Sequence, residues 1–450
     1  MAMNKLAAAI VIGVVGVSGA VYAEDWPHWR GPDGRRISTE RGLPVIWSRD
    51  AGVSWRTPLR GLGVSSPIVS GDLVFLTSQL GRGPLRLGSH PSLVRGGPEP
   101  ENERPLGGRR VDGDGEGVVF LVSAFDRADG VLAWEYEIEA SGDLPAAHQK
   151  HNMASPSVTS DGEAVYAWFA TGQLVALTLR GELVWERDLA HDYGPFEILW
   201  GHSSSPTIYG DLLILQCDHE PGSYLLALDR RTGEERWKAD RGAGLISFST
   251  PVVVAGPSGD ELIVNASERI DAYDPSTGEW LWRAGGPNQY PVPAATHDNE
   301  GTLYTSRGHR AGPYMAIRLG GRGDVTETHV AWRVETGAPY ISSILYYDGL
   351  IYMANGNGIV TAVDAESGRR VWQDRLGGIY SASPVAGDGK VYFFSETGET
   401  LVLTAGRELK VLARNNLGER IVSSPAVSDG LIFIRTDESL IAVGGSRVAK

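Results

Sequence analysis

A twelve-residue phrase recurs along this chain and constrains its fold more than any other feature. Residues 226 to 237 read LALDRRTGEERW, and closely related phrases occupy 123 to 134, 271 to 282 and 361 to 372. All four keep the spacing Ala-x-Asp-x-x-x-Gly-x-x-x-Trp within alternating apolar residues. In a tight turn an Asp can accept bonds from backbone amides and a Gly takes a positive φ. The phrase therefore predicts a β-hairpin whose returning strand carries the Trp.

A second signature precedes each phrase or its weaker relatives, and together the two define a repeating unit. It is a Ser/Thr-rich step ending in Pro, followed by a strand, a Gly/Asp turn and another strand. Ile344 replaces the Pro once, and the other positions are Pro67, Pro156, Pro206, Pro251, Pro293, Pro384 and Pro425. The chain thus contains eight units of four short strands, A to D. A period of roughly 40 to 50 residues is typical of propeller blades.

The two ends of the repeat array complement each other. The last unit stops after three strands, at residues 439 to 445, whereas residues 53 to 59 supply an isolated strand that carries Trp55. Borrowing that strand would close a ring and hide its edges. We therefore predict an all-β chain whose residues 53 to 450 form an eight-bladed β-propeller of four-stranded antiparallel blades. An open β-solenoid is the alternative, although the chain offers no capping repeats.

These repeats resemble the pyrroloquinoline-quinone-like (PQQ-like) β-propeller family, and the resemblance extends over residues 53 to 445. The preceding stretch DWPHWRGPDGRRIS, residues 25 to 38, is similar to the N-terminal segment of exported, largely uncharacterised members, so residues 24 to 52 form a separate segment. The resemblance implies that the repeated Trp packs between adjacent blades. The residues in this structural role would be Trp55, Trp134, Trp185, Trp237, Trp282, Trp332 and Trp372.

One branch of the family consists of quinone-dependent alcohol and sugar dehydrogenases. The resemblance to it would imply a PQQ cofactor held by an adjacent-cysteine disulfide, with Ca²⁺ bound by Glu, Asn and Asp. Cys217 is the only cysteine and excludes that disulfide. The segment DGDGEG, residues 112 to 117, has the alternating acids of a Ca²⁺ loop, but Ser123 stands where the loop needs Glu. We therefore expect no cofactor, with a PQQ-dependent dehydrogenase lacking the disulfide as the alternative.

The other branch contains the outer-membrane-protein assembly factor BamB, a non-catalytic eight-bladed scaffold. The blade count and an export signal agree with this branch. The long insertion at residues 79 to 117 and the lack of a lipid-carrying cysteine do not. The resemblance favours a non-catalytic scaffold of the cell envelope that binds a protein or a small ligand, and no catalytic residue is assigned.

The first 23 residues predict export. They contain Lys5, an apolar run from Leu6 to Val17 and a small-residue pattern at 21 to 23, which is typical of a cleaved secretory signal. The run is too short to span a bilayer, so we expect an exported protein, periplasmic or extracellular, without a transmembrane segment or a lipid anchor. Losing Lys5 changes the net charge from −14 to −15. Nucleic acid and anionic membranes are therefore not expected partners.

The strand order of the repeat also predicts which face binds. In an A-B-C-D meander the start of strand A and the B to C loop share one end, and the regular turns share the other. The irregular end receives the insertion and an unusual set of aromatic, imidazole and guanidinium groups. The candidate binding residues are His148, His151, His202, Phe248, Tyr290, Tyr340, Tyr380, His219, Arg307 and His309.

Each of these features has a plainer interpretation that stays open. The aromatic side chains could simply seal the propeller channel. The pair His148 and His151 lacks a third ligand, so no metal is assigned and both could be polar loop residues. Cys217 lies in an apolar strand and is expected to be a buried small hydrophobe.

Overall fold

The protein is built almost entirely from antiparallel β-sheets. The computed structural model describes residues 24–87, 109–113, 117–219, 222–286, 290–308 and 312–444. Within them, eight sheets follow one another along the chain, each with four antiparallel strands, here called A to D. In sheet 8 the fourth strand comes from residues 53 to 58, before the other sheets. The predicted signal at residues 1 to 23 lies outside the described residues.

The strands of sheets 1 to 4 have the following bounds. Sheet 1 comprises Ile68–Ser70, Leu73–Leu80, Val119–Asp126 and Leu132–Glu139; sheet 2 comprises Thr159–Ser160, Ala164–Trp168, Gln173–Thr178 and Leu183–Asp188. Sheet 3 comprises Thr207–Tyr209, Leu212–Cys217, Ser223–Asp229 and Glu235–Gly242; sheet 4 comprises Val252–Gly256, Gly259–Ala266, Arg269–Tyr273 and Trp280–Ala284, with Gly323–Asp324 added parallel to its outer strand.

Sheets 5 to 8 repeat the pattern. Sheet 5 comprises Thr296–His297, Thr302–Ser306, Tyr314–Arg318 and Val330–Val334; sheet 6 comprises Leu345–Tyr347, Leu350–Ala354, Ile359–Asp364 and Arg370–Arg375. Sheet 7 comprises Val385–Gly387, Lys390–Phe394, Glu399–Thr404 and Val411–Asn416; sheet 8 comprises Ala426–Ser428, Leu431–Arg435, Ser439–Val443 and, as its outer strand, Val53–Pro58. The described residues also form two short helices, Leu189–Tyr193 and Thr326–His329, and neither could cross a membrane.

The repeated phrase forms the C to D hairpin of a sheet. In sheet 3 the Asp229 carboxylate accepts from the amide of Arg231 at 2.9 Å, and Gly233 has φ +73°. Ala227 lies opposite Trp237 in the register, and a β-bulge follows immediately. A small residue is required there because the large indole occupies the space between sheets.

The Trp side chains pack against the turn glycine of the following sheet. A Cβ added to Gly181 would lie 2.7 Å from the Trp134 ring, and one added to Gly233 would lie 2.8 Å from Trp185. The indole N–H of Trp134 donates to Leu179 O at 2.9 Å, across the same contact. Equivalent contacts join Trp55 to Gly130, Trp237 to Gly278 and Trp332 to Gly368, and the N–H of Trp372 donates to Gly406 O. Trp282 differs, because its N–H donates to Glu261 of its own sheet at 2.7 Å.

The hydrophobic core lies between neighbouring sheets. Each buried cluster combines residues of two successive sheets, as where Phe75 and Val122 of sheet 1 pack with Val165 of sheet 2. The cluster of sheet 8 contains residues of sheet 7 and also Val74 of sheet 1. Burial between sheets, rather than within one central core, therefore holds the fold together.

Residues 24 to 43 cross one end of this array, on the side of the A to B turns. Trp26 exchanges backbone bonds with Val69 at the end of strand A of sheet 1, at 2.9 and 2.8 Å. Farther along, Ile37 and Ser38 pair parallel with strand A of sheet 7. The Glu40 carboxylate accepts from the amides of Asp429 and Gly430 in sheet 8 at 2.7 and 2.5 Å. The segment thus covers the first strands of several sheets.

The insertion in sheet 1 contains regular structure. Its flanking strands reach Leu80 and resume at Val119, so the break is slightly shorter than the predicted 79 to 117. The strand Leu85–Leu87 pairs with Arg109–Val111 and, in parallel, with Ala147–His148. Residues 88 to 108 and 114 to 116 lie outside the described residues. The described part of the insertion therefore lies beside the segment that leads into sheet 2.

Candidate functional site

A series of hydroxyl groups links the first strands of neighbouring sheets. A Ser or Thr beside the Pro of the repeat, or beside the Ile344 that replaces it, offers its hydroxyl oxygen to the backbone amide of the equivalent residue in the preceding sheet. Ser157 follows Pro156, whereas the other hydroxyl residues precede the Pro or Ile344. These bonds run Ser66 to Ser157, Ser157 to Ser205, Ser205 to Thr250, Ala294 to Ser343, Ser343 to Ser383, Ser383 to Ser424 and Ser424 to Ser66, at 2.8 to 3.1 Å. Ala294 has no hydroxyl and breaks the series once. We call this set the hydroxyl ring.

A cavity of about 220 Å³ opens on one side of the hydroxyl ring. Its wall includes all seven hydroxyl residues, and the Trp29 side chain from the N-terminal segment lines it as well. The residues just before strand A surround it, namely His148, Lys150, His151, Trp200, Phe248 and Tyr340. We call this space the channel cavity. Residues 24 to 43 lie on the side of the A to B turns, which we call the covered end, and the residues before strand A line the opposite side, which we call the open end.

Two of the predicted histidines stand together at the wall of the channel cavity. The rings of His148 and His151 stack with centroids 6.4 Å apart, and His148 meets the edge of Trp200 at 5.1 Å. The His151 Nδ1 lies 3.0 Å from Ser155 Oγ, and burial lowers the pKa of its imidazole. This stacked arrangement suits a flat ligand surface better than metal chelation, and the described residues contain no group of three potential metal ligands.

A charged network bridges the rim of the channel cavity between sheets far apart in sequence. Lys150 Nζ contacts both carboxylate oxygens of Glu396 at 3.1 and 3.2 Å. Ser381 Oγ donates to the same carboxylate at 2.5 Å, and Arg420 Nη2 donates at 3.2 Å. Burial opposes ionisation of Glu396, but the Ser381 bond and the charge of Lys150 outweigh it and lower the pKa of its carboxyl group. The rim therefore carries a fixed ion pair.

The remaining candidate residues occupy three kinds of position. Phe248 and Tyr340 line the channel cavity, and Tyr290 lies close enough to Tyr340 to raise its pKa further after burial has done so. His309 lies outside the described residues. The others are buried within or between sheets: His202, His219, Tyr380 and Arg307.

The buried candidates have partners that explain their positions. His202 stacks on Trp168 with centroids 4.0 Å apart, and burial lowers its pKa to about 3. His219 packs against Phe196, with centroids 5.0 Å apart. Arg307 donates from Nη2 to Gly286 O at 2.8 Å, and burial lowers its pKa to about 10. These side chains pack behind the residues that line the channel cavity and are not part of its wall.

Sequence reasoning missed several residues of the channel cavity. Trp29 comes from outside the repeats, and Glu396 approaches Lys150 across 246 residues of chain. Neither has a local signal, because both positions depend on how the sheets are arranged. The hydroxyl ring did have a signal, since a Ser or Thr directly beside the Pro recurs in most repeats.

The residues around the channel cavity do not match the set that a quinone site of the dehydrogenase branch would need. Glu396 is bound to Lys150, Ser381 and Arg420, and the part of the chain that the structure describes holds no cluster of three acidic or other metal-ligating side chains. Cys217 is buried in strand B of sheet 3, where burial raises the pKa of its thiol. We derive no redox step through a quinone.

The repeat and its sheets place the chain in a known class. The family described as outer membrane protein assembly factor BamB matches residues 23–198, 120–310 and 356–446, which is most of the chain. The chain therefore belongs to this family of PQQ-like β-propeller proteins. An outer membrane protein assembly factor BamB of Yersinia pestis is 20% identical over 323 residues, 71% of this chain and 68% of that protein.

Solved structures show the same fold in proteins of two kinds. BamB from Moraxella catarrhalis superposes with a TM-score of 0.53 at 16% identity, covering 73% of this chain and 94% of that one. A europium-containing methanol dehydrogenase superposes with a TM-score of 0.65 at 12% identity, covering 92% and 90%. At such low identity these likenesses establish the β-propeller fold and leave activity to be argued from the site.

Proposed function

We propose that this protein is an eight-bladed propeller acting as a non-catalytic binding scaffold of the cell envelope, and that its ligand or protein partner docks at the open end of the channel cavity. The observation that carries this is the asymmetry of the channel. Residues 24 to 43 cover one end, whereas the other end exposes a cavity of about 220 Å³. A concavity with convergent polar groups and aromatic walls is the usual form of a binding site.

The closed eight-bladed ring is supported by three contacts between the last sheet and the first. Ser424 N donates to Ser66 Oγ at 3.1 Å, continuing the hydroxyl ring across the two ends of the repeat array. Arg435 of sheet 8 donates to Ser78 Oγ of sheet 1 at 2.9 Å. Trp55 N–H donates to Arg127 O at 3.0 Å. In this proposal the sheets are blades, with residues 24 to 52 as a separate segment.

The chemistry of the cavity wall suggests what would bind. Flat rings of Trp29, Phe248 and Tyr340 offer stacking surfaces, and the hydroxyl ring offers donors, because each hydroxyl oxygen already accepts from a backbone amide. The space suits one aromatic side chain of a protein partner or one small ligand. The similarity to proteins named as outer membrane assembly factors supports an envelope protein as that partner, at an exported, periplasmic location.

Photo-crosslinking in intact cells tests the proposal. A photoreactive amino acid would be placed at Tyr340, at the open end, and at Arg41, an exposed residue of the covered end. We expect a discrete crosslinked product at position 340 and none at position 41, and Phe248→Ala to weaken the product at least several-fold. Equal products at both positions, or a product at position 41 alone, would show that the wrong end was chosen.

A reconstitution assay tests the dehydrogenase alternative separately. Purified protein would be mixed with pyrroloquinoline quinone and Ca²⁺, and bound-cofactor absorbance and dye reduction would be followed with a panel of alcohols and aldoses. Because the cavity wall lacks a carboxylate cluster among the described residues, we expect neither signal. Stoichiometric binding with turnover would replace the scaffold function by the enzymatic one.

A further inference from the structure

Two arginine side chains lie buried at the covered end of the channel. Arg30 is 2% exposed and Arg36 is 0% exposed. Their guanidinium carbons lie 5.3 and 5.6 Å from the centre of the Trp29 ring, which forms part of the cavity wall. The two positive charges therefore flank one indole beneath the channel cavity.

The partners of these guanidinium groups are backbone carbonyls rather than carboxylates. Arg36 donates to Pro384 O at 3.0 Å and to Ile344 O at 2.6 Å, at the start of two first strands. Arg30 donates to Gly34 O at 2.7 Å and to Ala295 O. Nη1 of each arginine is buried and has no hydrogen-bond partner. A buried guanidinium normally has its charge balanced by an anionic group.

Among the described titratable groups, the Asp33 carboxylate favours the charge of Arg30, but no carboxylate does so for Arg36. The Asp33 carboxylate is bound by Arg35, whose Nε donates to it at 2.6 Å. Burial, followed by the charge of a nearby arginine, lowers the pKa of His28 and of His297 to about 4, so both imidazoles are neutral at pH 7. The indole N–H of Trp29 is also buried without an acceptor. Three unused donors and two positive charges thus lie together in a protein of net charge −14.

We propose that Nη1 of Arg30 and Nη1 of Arg36 hold a small inorganic anion beneath Trp29, with the indole N–H as a further donor. The anion balances the two guanidinium charges and accepts the hydrogen bonds that the fold leaves unmade. It also fixes the two guanidinium groups, whose other nitrogens donate to carbonyls at the first strands of sheets 5, 6 and 7. This site is independent of what binds at the open end.

Anomalous scattering provides the direct test. Crystals of the full chain would be soaked in sodium bromide, and we expect an anomalous peak within hydrogen-bond distance of both Nη1 atoms. This measurement needs no variant, so it stays decisive even if substitutions disturb folding. The absence of a peak beside these guanidinium groups overturns the proposal.

Phosphate-dependent stability provides the second test. The thermal midpoint would be measured at fixed ionic strength as inorganic phosphate is increased, and we expect a rise that saturates, as for a ligand that binds only the folded state. Arg36→Gln and Arg30→Gln should lose the rise, whereas Arg41→Gln, at an exposed position of the same segment, should keep it. An unchanged phosphate response in Arg36→Gln also overturns the site, since general salting effects act on all variants alike.

Discussion

The covered end and the open end of the channel cavity differ in how the space beside the first strands is filled. At the covered end, residues 24 to 43 fill the space with Trp26, Arg30 and Arg36, which are all nearly inaccessible. At the open end, the residues before strand A leave a cavity lined by half-buried rings and a bridged ion pair. Loops of the repeats themselves build the wall of the open end, whereas chain outside the repeats fills the covered end. Packing density should therefore make the covered end important for stability and the open end important for binding.

The largest expected effect is from Trp26→Ala at the covered end. The side chain is fully buried and its backbone pairs with Val69, so we expect a loss of about 3–5 kcal/mol in the free energy of unfolding. The matched change Trp200→Ala, at the half-buried wall of the channel cavity, should cost about half as much or less. Chemical denaturation of both variants checks this. Equal losses would mean that the two ends contribute alike to stability.

A smaller effect is expected from a single methyl group at Gly31. This residue has φ +79°, and an added Cβ would lie 2.9 Å from the Trp26 ring. Gly42 has φ +73° with nothing within 4 Å of the added atom. Both alanine variants incur backbone strain, so the difference between them isolates the contact with Trp26. We expect Gly31→Ala to cost about 1–2 kcal/mol more than Gly42→Ala in denaturant titrations.

At the open end, we expect Lys150→Met to lower the free energy of unfolding by about 1 kcal/mol at neutral pH. The pKa of Glu396 is lower in the folded protein than in the unfolded chain. Its ionised carboxylate therefore stabilises the fold above the ordinary Glu pKa of about 4.3, and this stability is lost as the pH falls through the folded-state pKa. The penalty of Lys150→Met should therefore shrink in acid. Denaturation at neutral and acidic pH measures it, with Lys410→Met, an exposed lysine, as the control. A penalty that is constant with pH would argue against the rim ion pair.

The smallest expected effect is a gain in stability from the variant Ala294→Ser. Ala294 interrupts the hydroxyl ring, and its own amide still donates to Ser343 Oγ at 3.0 Å. Ala294→Ser would offer an acceptor to the amide of Thr250, as Thr250 does for Ser205. We expect a stabilisation of about 0.5–1 kcal/mol, read as a higher denaturation midpoint. A loss of stability would show that position 294 is too closely packed for the hydroxyl oxygen.

Local patterns in the sequence were enough to predict the strands of the repeat and several cavity residues. The Asp229 turn, the positive φ of Gly233 and the Ala227 to Trp237 register all follow from the recurring phrase. His148 and Tyr340 were predicted from their position just before strand A, and both line the channel cavity. His202 satisfies the same rule, but its ring turns into the core onto Trp168. Periodicity predicts which end of a sheet a residue occupies, and it does not predict the direction of its side chain.

The sequence by itself determined the β-sheet repeat, the turn chemistry and the small residue that faces each Trp, because hydrogen bonding and side-chain alternation within a hairpin are local. Only the tertiary structure decided that Glu396 meets Lys150, that Trp29 lies in the cavity wall and that two arginines are buried without carboxylates. Those contacts join residues tens to hundreds of positions apart in the chain. Their geometry depends on how successive sheets pack against one another, and a pattern read along one strand does not contain that information.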